Sequence, residues 1–244
     1  ALQRPGTNSE LHVVDERVVG VMPATLGFAQ AAALPLTAIT AWELLFDRLQ
    51  VPESAAPSGK TVLIVGAAGG VGSVLVQLAR RLTGLTVIGT VSSEAKAAIA
   101  RAHGCDHVIN YSQEDVAKRV RELTGGVGVN VVFDSVGKDT FETSLDSLKR
   151  RGLMVCVGTA SGPIPPFNPQ LLAMKGSLYL TRPALADYIA DPAEKTELAG
   201  ELFGHVAAGR IRIEINQRYA LEDAVQAHRD LESRKTTGSS VFVI

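Results

Sequence analysis

The stretch Thr61-Val-Leu-Ile-Val-Gly66-Ala-Ala68-Gly69-Gly70-Val71-Gly72, running straight into Ser73–Leu82, constrains the fold more than any other part of the chain. Residues this apolar form a strand buried on both faces, and the glycines let the backbone turn sharply at its end. Val71, Val74, Leu75, Leu78 and Leu82 then recur at helical spacing. A strand that opens a helix through glycines presents unpaired N–H groups and the positive end of a helix dipole, which suits a dinucleotide pyrophosphate. A tight strand-to-helix turn with no ligand gives the same glycines. The second half of the unit favours the dinucleotide, because Leu85-Thr-Val-Ile-Gly-Thr-Val91 reads as a second strand at the distance a crossover requires.

With 244 residues, 46% hydrophobic residues and a formal net charge of -1, the chain has enough apolar material for a sizeable core and is no generic polyanion binder. No dense Lys/Arg stripe supports a nucleic-acid role. No uninterrupted run of eighteen apolar residues occurs, and Ala1-Leu-Gln-Arg-Pro-Gly6 lacks the order of a signal peptide, so no membrane partner is expected and a cytoplasmic location is. The two cysteines, Cys105 and Cys156, have no metal-ligating neighbour at short spacing, and a disulfide framework is not expected. His103 and His107 are four apart, but Gly104 between them reads as a helix end, so they need not share a face. No metal site is expected.

From residue 61 onward strands near 61–66, 85–91, 107–110, 129–134 and 152–158 alternate with helices near 70–82, 94–103, 114–124 and 138–149. The alternation predicts an α/β fold, a doubly wound parallel sheet with helices on both faces. After the rigid loop Pro163–Pro169 a short strand at Ser177–Leu180 and a helix at Glu194–Ala208 are expected. Upstream, Leu11–Val19 reads as one or two short strands with a polar turn at Asp15–Arg17, and Phe28–Leu36 and Thr40–Leu49 as helices separated near Pro35. Pro52–Gly59 has the composition of a connector. The last residues read as a strand at Ile211–Ile215, a helix at Leu221–Leu231 and a strand at Ser240–Ile244. Both chain ends look like pieces of a second sheet, as if the chain were incomplete at its N-terminus.

The end of the second strand decides which dinucleotide is expected. NAD-binding units place an acidic residue there to accept hydrogen bonds from the ribose hydroxyls, and that acid would repel a 2′-phosphate. Here the position falls on Val91, followed by the hydroxyls of Ser92 and Ser93 and, one helical turn on, by Lys96. Tyr111, after the third strand, adds a phenol to the same pocket or packs over the sheet end. Hydroxyls with an ammonium suit a phosphate, so NADPH is the expected cofactor. Glu94 opposes this reading, but on the first turn of a helix it can face solvent and suit the dipole.

Taken together, Ala31-Ala-Ala-Leu-Pro-Leu-Thr-Ala-Ile-Thr40-Ala-Trp42, the loop Gly66–Gly72, His107–Tyr111, Phe133-Asp-Ser-Val-Gly-Lys-Asp-Thr-Phe141, Lys175–Pro183 and Arg234–Ser240 resemble the zinc-independent quinone-oxidoreductase branch, zeta-crystallin-like, of the medium-chain dehydrogenase/reductases. The resemblance covers essentially the whole chain. It implies a Rossmann-type nucleotide domain over residues 26–210, a remnant of a GroES-like β domain in 1–25 and a return segment to that domain in 211–244. It also implies roles: Thr40 at the nicotinamide end; Gly66, Ala68, Gly69, Gly70, Val71 and Gly72 around the pyrophosphate; Ser92, Ser93, Lys96 and Tyr111 at the 2′-phosphate. Ser135, Gly158, Thr159 and Leu180 would line the nicotinamide side, and Arg234 would reach the cofactor from the C-terminal segment. Leu180 has an equally good reading as a residue that any buried strand wants. A homodimer formed through a sheet edge near Leu171–Arg182 is a further implication.

Zinc dehydrogenases of this superfamily use a cysteine, a Gly-His-Glu histidine and a second cysteine as ligands. Those residues do not occur here, and Leu36 falls where the second cysteine would be. The resemblance therefore implies hydride transfer from NADPH to a quinone or related conjugated carbonyl, a reaction that needs orientation and a dry pocket more than a Lewis acid. No catalytic acid or base is named by it. Rival readings are a 2-enoyl thioester reductase or alcohol-dehydrogenase-like reductase of the same superfamily, and a catalytically silent NADPH-binding module. A short-chain dehydrogenase would need a Tyr-x-x-x-Lys pair, and none of the tyrosines has lysine four residues on.

Overall fold

The computed structural model describes residues 6–15, 19–47 and 58–244. The described residues divide into two compact units. One draws on Ala1–Gln50, Gly69–Val74 and Ala184–Ile244, the other on Val51–Ala68 and Leu75–Pro183.

The second unit is built on six parallel strands: β1 (Thr61–Val65), β2 (Thr86–Val91), β3 (His107–Asn110), β4 (Val129–Asp134), β5 (Leu148–Cys156) and β6 (Tyr179–Thr181). Their order is β3-β2-β1-β4-β5-β6. The chain winds outward from β1 in one direction, then returns to β4 and winds outward in the other. Such a reversal leaves a crevice beyond the C-terminal ends of β1 and β4, where doubly wound sheets hold their ligands. The register Val62↔Val87 and Val62↔Val131 keeps these three strands level, so β1, β2 and β4 end together at Val65, Thr90–Val91 and Asp134.

Strands buried on both faces explain the near-continuous apolar runs. On one face Leu63, Val65, Ile88, Val132 and Met154 join Val120 of helix α4 (Val116–Leu123) and Phe141 and Leu145 of helix α5 (Phe141–Ser147) in one core cluster. Helix α2 (Gly70–Leu82) and helix α3 (Glu94–His103) form the crossovers β1 to β2 and β2 to β3. Arg80 of α2 pairs with Asp106 at 3.2 Å, and Asp106 Oδ2 accepts the Val87 N–H at 2.8 Å, tying both crossovers to the sheet. The expected alternation is thus observed, and α2, α3, β3 and β4 have the expected limits.

Two strand limits differ. β5 begins at Leu148 instead of residue 152, because Leu148 pairs with Val129 and the register then slips before Leu153 meets Val131. The cations Lys149, Arg150 and Arg151 hide this start in the sequence, and Arg151 itself adopts a left-handed conformation with φ 56°. β6 begins at Tyr179 instead of Ser177, since Ser177, also at φ 56°, cannot extend a strand. Two short helices that the sequence does not announce, α6 (Gln170–Met174) and α7 (Leu185–Tyr188), fill the chain around β6.

In the first unit helix α1 runs unbroken over Phe28–Trp42 and widens into a π-turn at Glu43–Asp47. The expected break at Pro35 does not occur. An interior proline costs about 3 kcal/mol, and burial of Ala33, Leu34, Ala38, Ile39, Ala41 and Trp42 on one face outweighs it. Leu49, the expected end of the second helix, lies outside the described residues, as does most of Pro52–Gly59. Phe28–Phe46 spans nineteen residues and is by length and composition able to cross a bilayer, although polar residues interrupt its apolar run; half of it is buried inside the structure and it carries the buried Glu43, as a core helix would.

Helix α8 (Pro192–Ala207) packs on α1, where Trp42 meets Phe46 and His205 with ring centroids 4.3 and 5.3 Å apart. Strands β7 (Ile215–Ala220) and β8 (Ser239–Val243) pair in parallel and are joined by helix α9 (Ala224–Glu232). The strand expected at Ile211–Ile215 is displaced toward the C-terminus. Ile211 and Ile213 are buried in irregular chain, whereas the ladder is made by Ile215 and the polar Gln217, Arg218 and Tyr219. No strand forms in the described part of Leu11–Val19; Leu11 and Val13 are exposed, and residues 16–18 of the expected turn lie outside the described residues. Apolar alternation marks a strand only where a partner supplies the ladder.

Candidate functional site

In the second unit the C-terminal edge of the sheet gathers most of the sequence-predicted residues. β1 is followed by Gly66, whose φ of 80° permits the reversal toward Ala67 and Ala68. The turn is held by the Gly66 N–H donating to Thr90 Oγ1 at 3.3 Å and the Ala67 N–H donating to Thr90 O at 3.1 Å. A β-carbon on Gly66 would lie 3.3 Å from Ser135 Oγ, and Ser135 Oγ donates to Val65 O at 3.1 Å, so the loops after β1 and β4 touch across the crevice.

The loops after β4 and β5 are joined more tightly. Val157 and Gly158 both donate to Asp134 O, at 2.7 and 3.2 Å, and Ser161 donates to Val136 O from its N–H and its hydroxyl, both at 2.8 Å. Gly158 approaches so closely that a β-carbon there would lie 2.7 Å from Ser135 O. Thr159 is exposed on the same loop, its carbonyl accepting from Gly162 N at 2.9 Å. Ser135, Gly158 and Thr159 are thus brought together. Leu180 pairs with Met154 within β6 and packs on the apolar cluster, the structural role open to it from the sequence.

Underneath lies Asp134, which the sequence reading passes over. Only 1% exposed, its Oδ1 accepts from Val136 N at 2.8 Å and Gly137 N at 3.0 Å, and its Oδ2 accepts from the hydroxyls of Thr140 and Ser144, each at 2.7 Å. The available signal was the spacing Asp134-Ser-Val-Gly137-x-x-Thr140, a strand-terminal carboxylate followed by donors at short range.

At the ends of β2 and β3 the four proposed 2′-phosphate residues lie on two adjacent loops. Val91 closes β2, and Ser93 caps α3 by accepting the Lys96 N–H at 3.4 Å. Glu94 is exposed, as expected, and Arg101 one face along α3 pairs with it at 2.5 Å, which offsets its charge beside an anion site. Tyr111 follows β3, its N–H donating to Val91 O at 3.0 Å. Two serine hydroxyls, a lysine and a phenol, with no unpaired carboxylate among them, fit a phosphate.

The start of α2 belongs to the first unit. The N–H groups of its first turn have no partner within the helix, as an anion site needs, and Gly69 bridges Gly238. A β-carbon on Gly70 would lie 3.1 Å from Thr37 Cγ2 and 3.3 Å from Gly238 O, so this glycine is fixed by packing as well. Val71 and Gly72 continue the helix, Thr40 is half-buried in α1, and Arg234 is exposed at φ 60° after α9.

Both cysteines are shut away. Burial, with a smaller contribution from Asp106, pushes the Cys105 thiol up from 9.0 to about 12. Burial and Asp134 push Cys156 up to about 11, against a smaller opposing effect of Arg182. Folding thus favours the protonated thiols. Their contribution to stability is complete below pH 9.0 and lost as pH rises toward about 12. Denaturation midpoints are expected to fall more steeply over that range for the parent than for Cys105→Ala; equal slopes would show that the thiol is not held neutral. Among the described residues no three His, Cys, Asp or Glu side chains gather as a metal site would require.

Comparison with known proteins identifies the family. The model of a family described as zinc-binding dehydrogenase matches residues 70–187. A quinone oxidoreductase from Pseudomonas aeruginosa is 49% identical over 238 residues, covering 98% of this chain and 71% of that protein. The chain belongs to the quinone oxidoreductase family of the medium-chain dehydrogenase/reductases. As a member of it the chain is an oxidoreductase with a Rossmann-type fold. The crystal structure of the Escherichia coli quinone oxidoreductase complexed with NADPH superposes with a TM-score of 0.87 at 45% identity, over 92% of this chain and 68% of that one. The NADPH expected from Val91–Lys96 agrees with that complex. A 2-haloacrylate reductase from a Burkholderia species is 45% identical over 213 residues, 87% of this chain and 62% of that protein.

Proposed function

We propose that the chain binds NADPH and delivers its hydride to quinones and related conjugated carbonyls without zinc. The observation that carries this reading is the pair of loops after β2 and β3, where hydroxyls and Lys96 stand in place of the acid that would select NADH. Bound there, the cofactor would supply a hydride from its nicotinamide. The chain's own part is to hold it: the glycine turn at Gly66 and the first turn of α2 take the pyrophosphate, Ser92, Ser93, Lys96 and Tyr111 the 2′-phosphate. The wall formed by Ser135, Gly158 and Thr159 fixes the nicotinamide side and excludes water, with Thr40, Leu180 and Arg234 as further contacts. The proton that completes the reduction comes from water or a nearby donor.

Quinones and enones stabilise the charge left by hydride addition in their own conjugated system, which is why a zinc-free site suffices. Resemblance to a 2-haloacrylate reductase favours conjugated acids as a second acceptor class. Residues 1–25 and 211–244 are read as parts of the GroES-like catalytic domain and 26–210 as the nucleotide domain. β6, the outer strand with Tyr179 exposed, is read as the edge through which a cytoplasmic homodimer pairs.

Titration with NADPH and NADH, followed by 1,2-naphthoquinone reduction on the same sample, tests the proposal. NADPH is expected to bind at least about tenfold more tightly, the worth of one charge-assisted contact, and to be oxidised by the quinone. NADPH-selective binding without turnover would point to the silent module, and equal binding of both cofactors would remove the NADPH assignment.

A further inference from the structure

The four residues read as the 2′-phosphate site come from two separate loops, and the sheet stops holding those loops together one residue too early. The β2–β3 register ends at Val91↔Asn110. Ser92, Ser93 and Lys96 follow on one side and Tyr111 on the other. Beyond the Tyr111 N–H bond to Val91 O, a side chain ties the two loops: Ser112 Oγ donates to Ser92 O at 3.1 Å.

Ser112 is itself aimed by a local device. Its N–H donates to the side-chain Oδ1 of Asn110 at 3.1 Å, a turn in which the buried Asn110 side chain stands in for backbone. The carbonyl of Asn110 accepts from Gln113 N at 2.9 Å and Glu114 N at 3.0 Å, and Glu114 Oε1 accepts the Asn110 N–H at 3.2 Å. Residues 110–114 therefore form a closed turn, from which the Ser112 hydroxyl reaches out to the loop after β2.

We infer that Ser112, aimed by Asn110, is a positioning residue for cofactor selectivity: it latches the loop carrying Tyr111 to the loop carrying Ser92. This rests on the NADPH reading above. With the latch closed, the hydroxyls of Ser92 and Tyr111 keep one separation and converge on one phosphate. With it open, the loops relax independently, and the phosphate must order them on binding. NADH has no group at that point and does not sense the latch.

Ser112 is exposed, so its truncation leaves the core intact. Equilibrium titration of Ser112→Ala is expected to raise the Kd for NADPH about three- to tenfold, the worth of one hydrogen bond, and to leave the Kd for NADH unchanged. Ser112→Thr, which keeps the hydroxyl, is expected to restore NADPH affinity, a rescue that a merely structural role would not produce. A Ser112→Ala chain that still prefers NADPH as strongly as the parent, or that loses affinity for both cofactors equally, overturns the latch. A parent chain that binds the two cofactors equally overturns the NADPH reading and the latch with it, and is told apart by requiring no variant.

Discussion

Asp134→Ala is expected to destabilise the chain by about 3–5 kcal/mol, the range for breaking a buried charged network. The carboxylate organises donors from four residues, and without it the buried N–H of Gly137, the half-buried N–H of Val136 and two hydroxyls lose their acceptor. For a chain of this length that corresponds to a fall in Tm of roughly 6–20 °C. Asp134→Asn separates charge from shape. Its Oδ1 still accepts from both N–H groups, while its amide meets the hydroxyls of Thr140 and Ser144, which can turn to accept from it. A loss about half as large is expected. Urea denaturation of the two variants beside the parent checks this; alanine and asparagine variants as stable as the parent would show that the loop stands without its carboxylate. A partly folded alanine variant should also lose its order between Ser135 and Gly158 first, because both loops hang on the residue that ends β4.

The legible parts of this fold are those whose information is local. The β1 run, the glycines after it and the helical spacing of Val74, Leu75 and Leu78 each imply the same element without reference to anything distant, and β1, α2, α3 and β3 follow. Misread parts depend on partners. Pro35 reads as a break because the burial of the α1 residues around it is not visible in the sequence, and that packing, on α8 among others, keeps α1 whole. The segment beginning at Leu11 reads as a strand for the opposite reason: its alternation has no ladder to join. β7 is shifted since its half-buried Gln217 and exposed Arg218 carry no apolar signal, only a pairing with Ser240 and Val241. The site divides in the same way. Ser92, Lys96 and Tyr111, proposed for the phosphate, owe their placement to their positions after strands, which the sequence shows. Asp134 and Ser112 act by touching atoms of other loops, contacts that exist only after the sheet has been assembled.

The second large effect is expected from Lys96→Ala. Lys96 stands in the first turn of α3, two residues after Glu94, where a cation is unfavourable to the helix dipole. Ser93 already caps the turn and Glu94 suits the dipole. An anion bound beyond the helix would gain from this ammonium directly. Removing the ammonium is therefore expected to leave stability unchanged or a few tenths of a kcal/mol higher, while weakening NADPH binding about 10- to 100-fold, the worth of a charge-assisted contact to phosphate. NADH affinity should stay within about twofold, since no phosphate stands opposite the lost charge. The parent's preference for NADPH should shrink with added salt, and the variant's residual preference should hardly respond. Paired titrations at low and high ionic strength, with a denaturation curve for each protein, measure all three quantities. If Lys96→Ala lowers stability and weakens both cofactors alike, Lys96 is a structural residue, and the phosphate site must be sought elsewhere along the ends of β2 and β3.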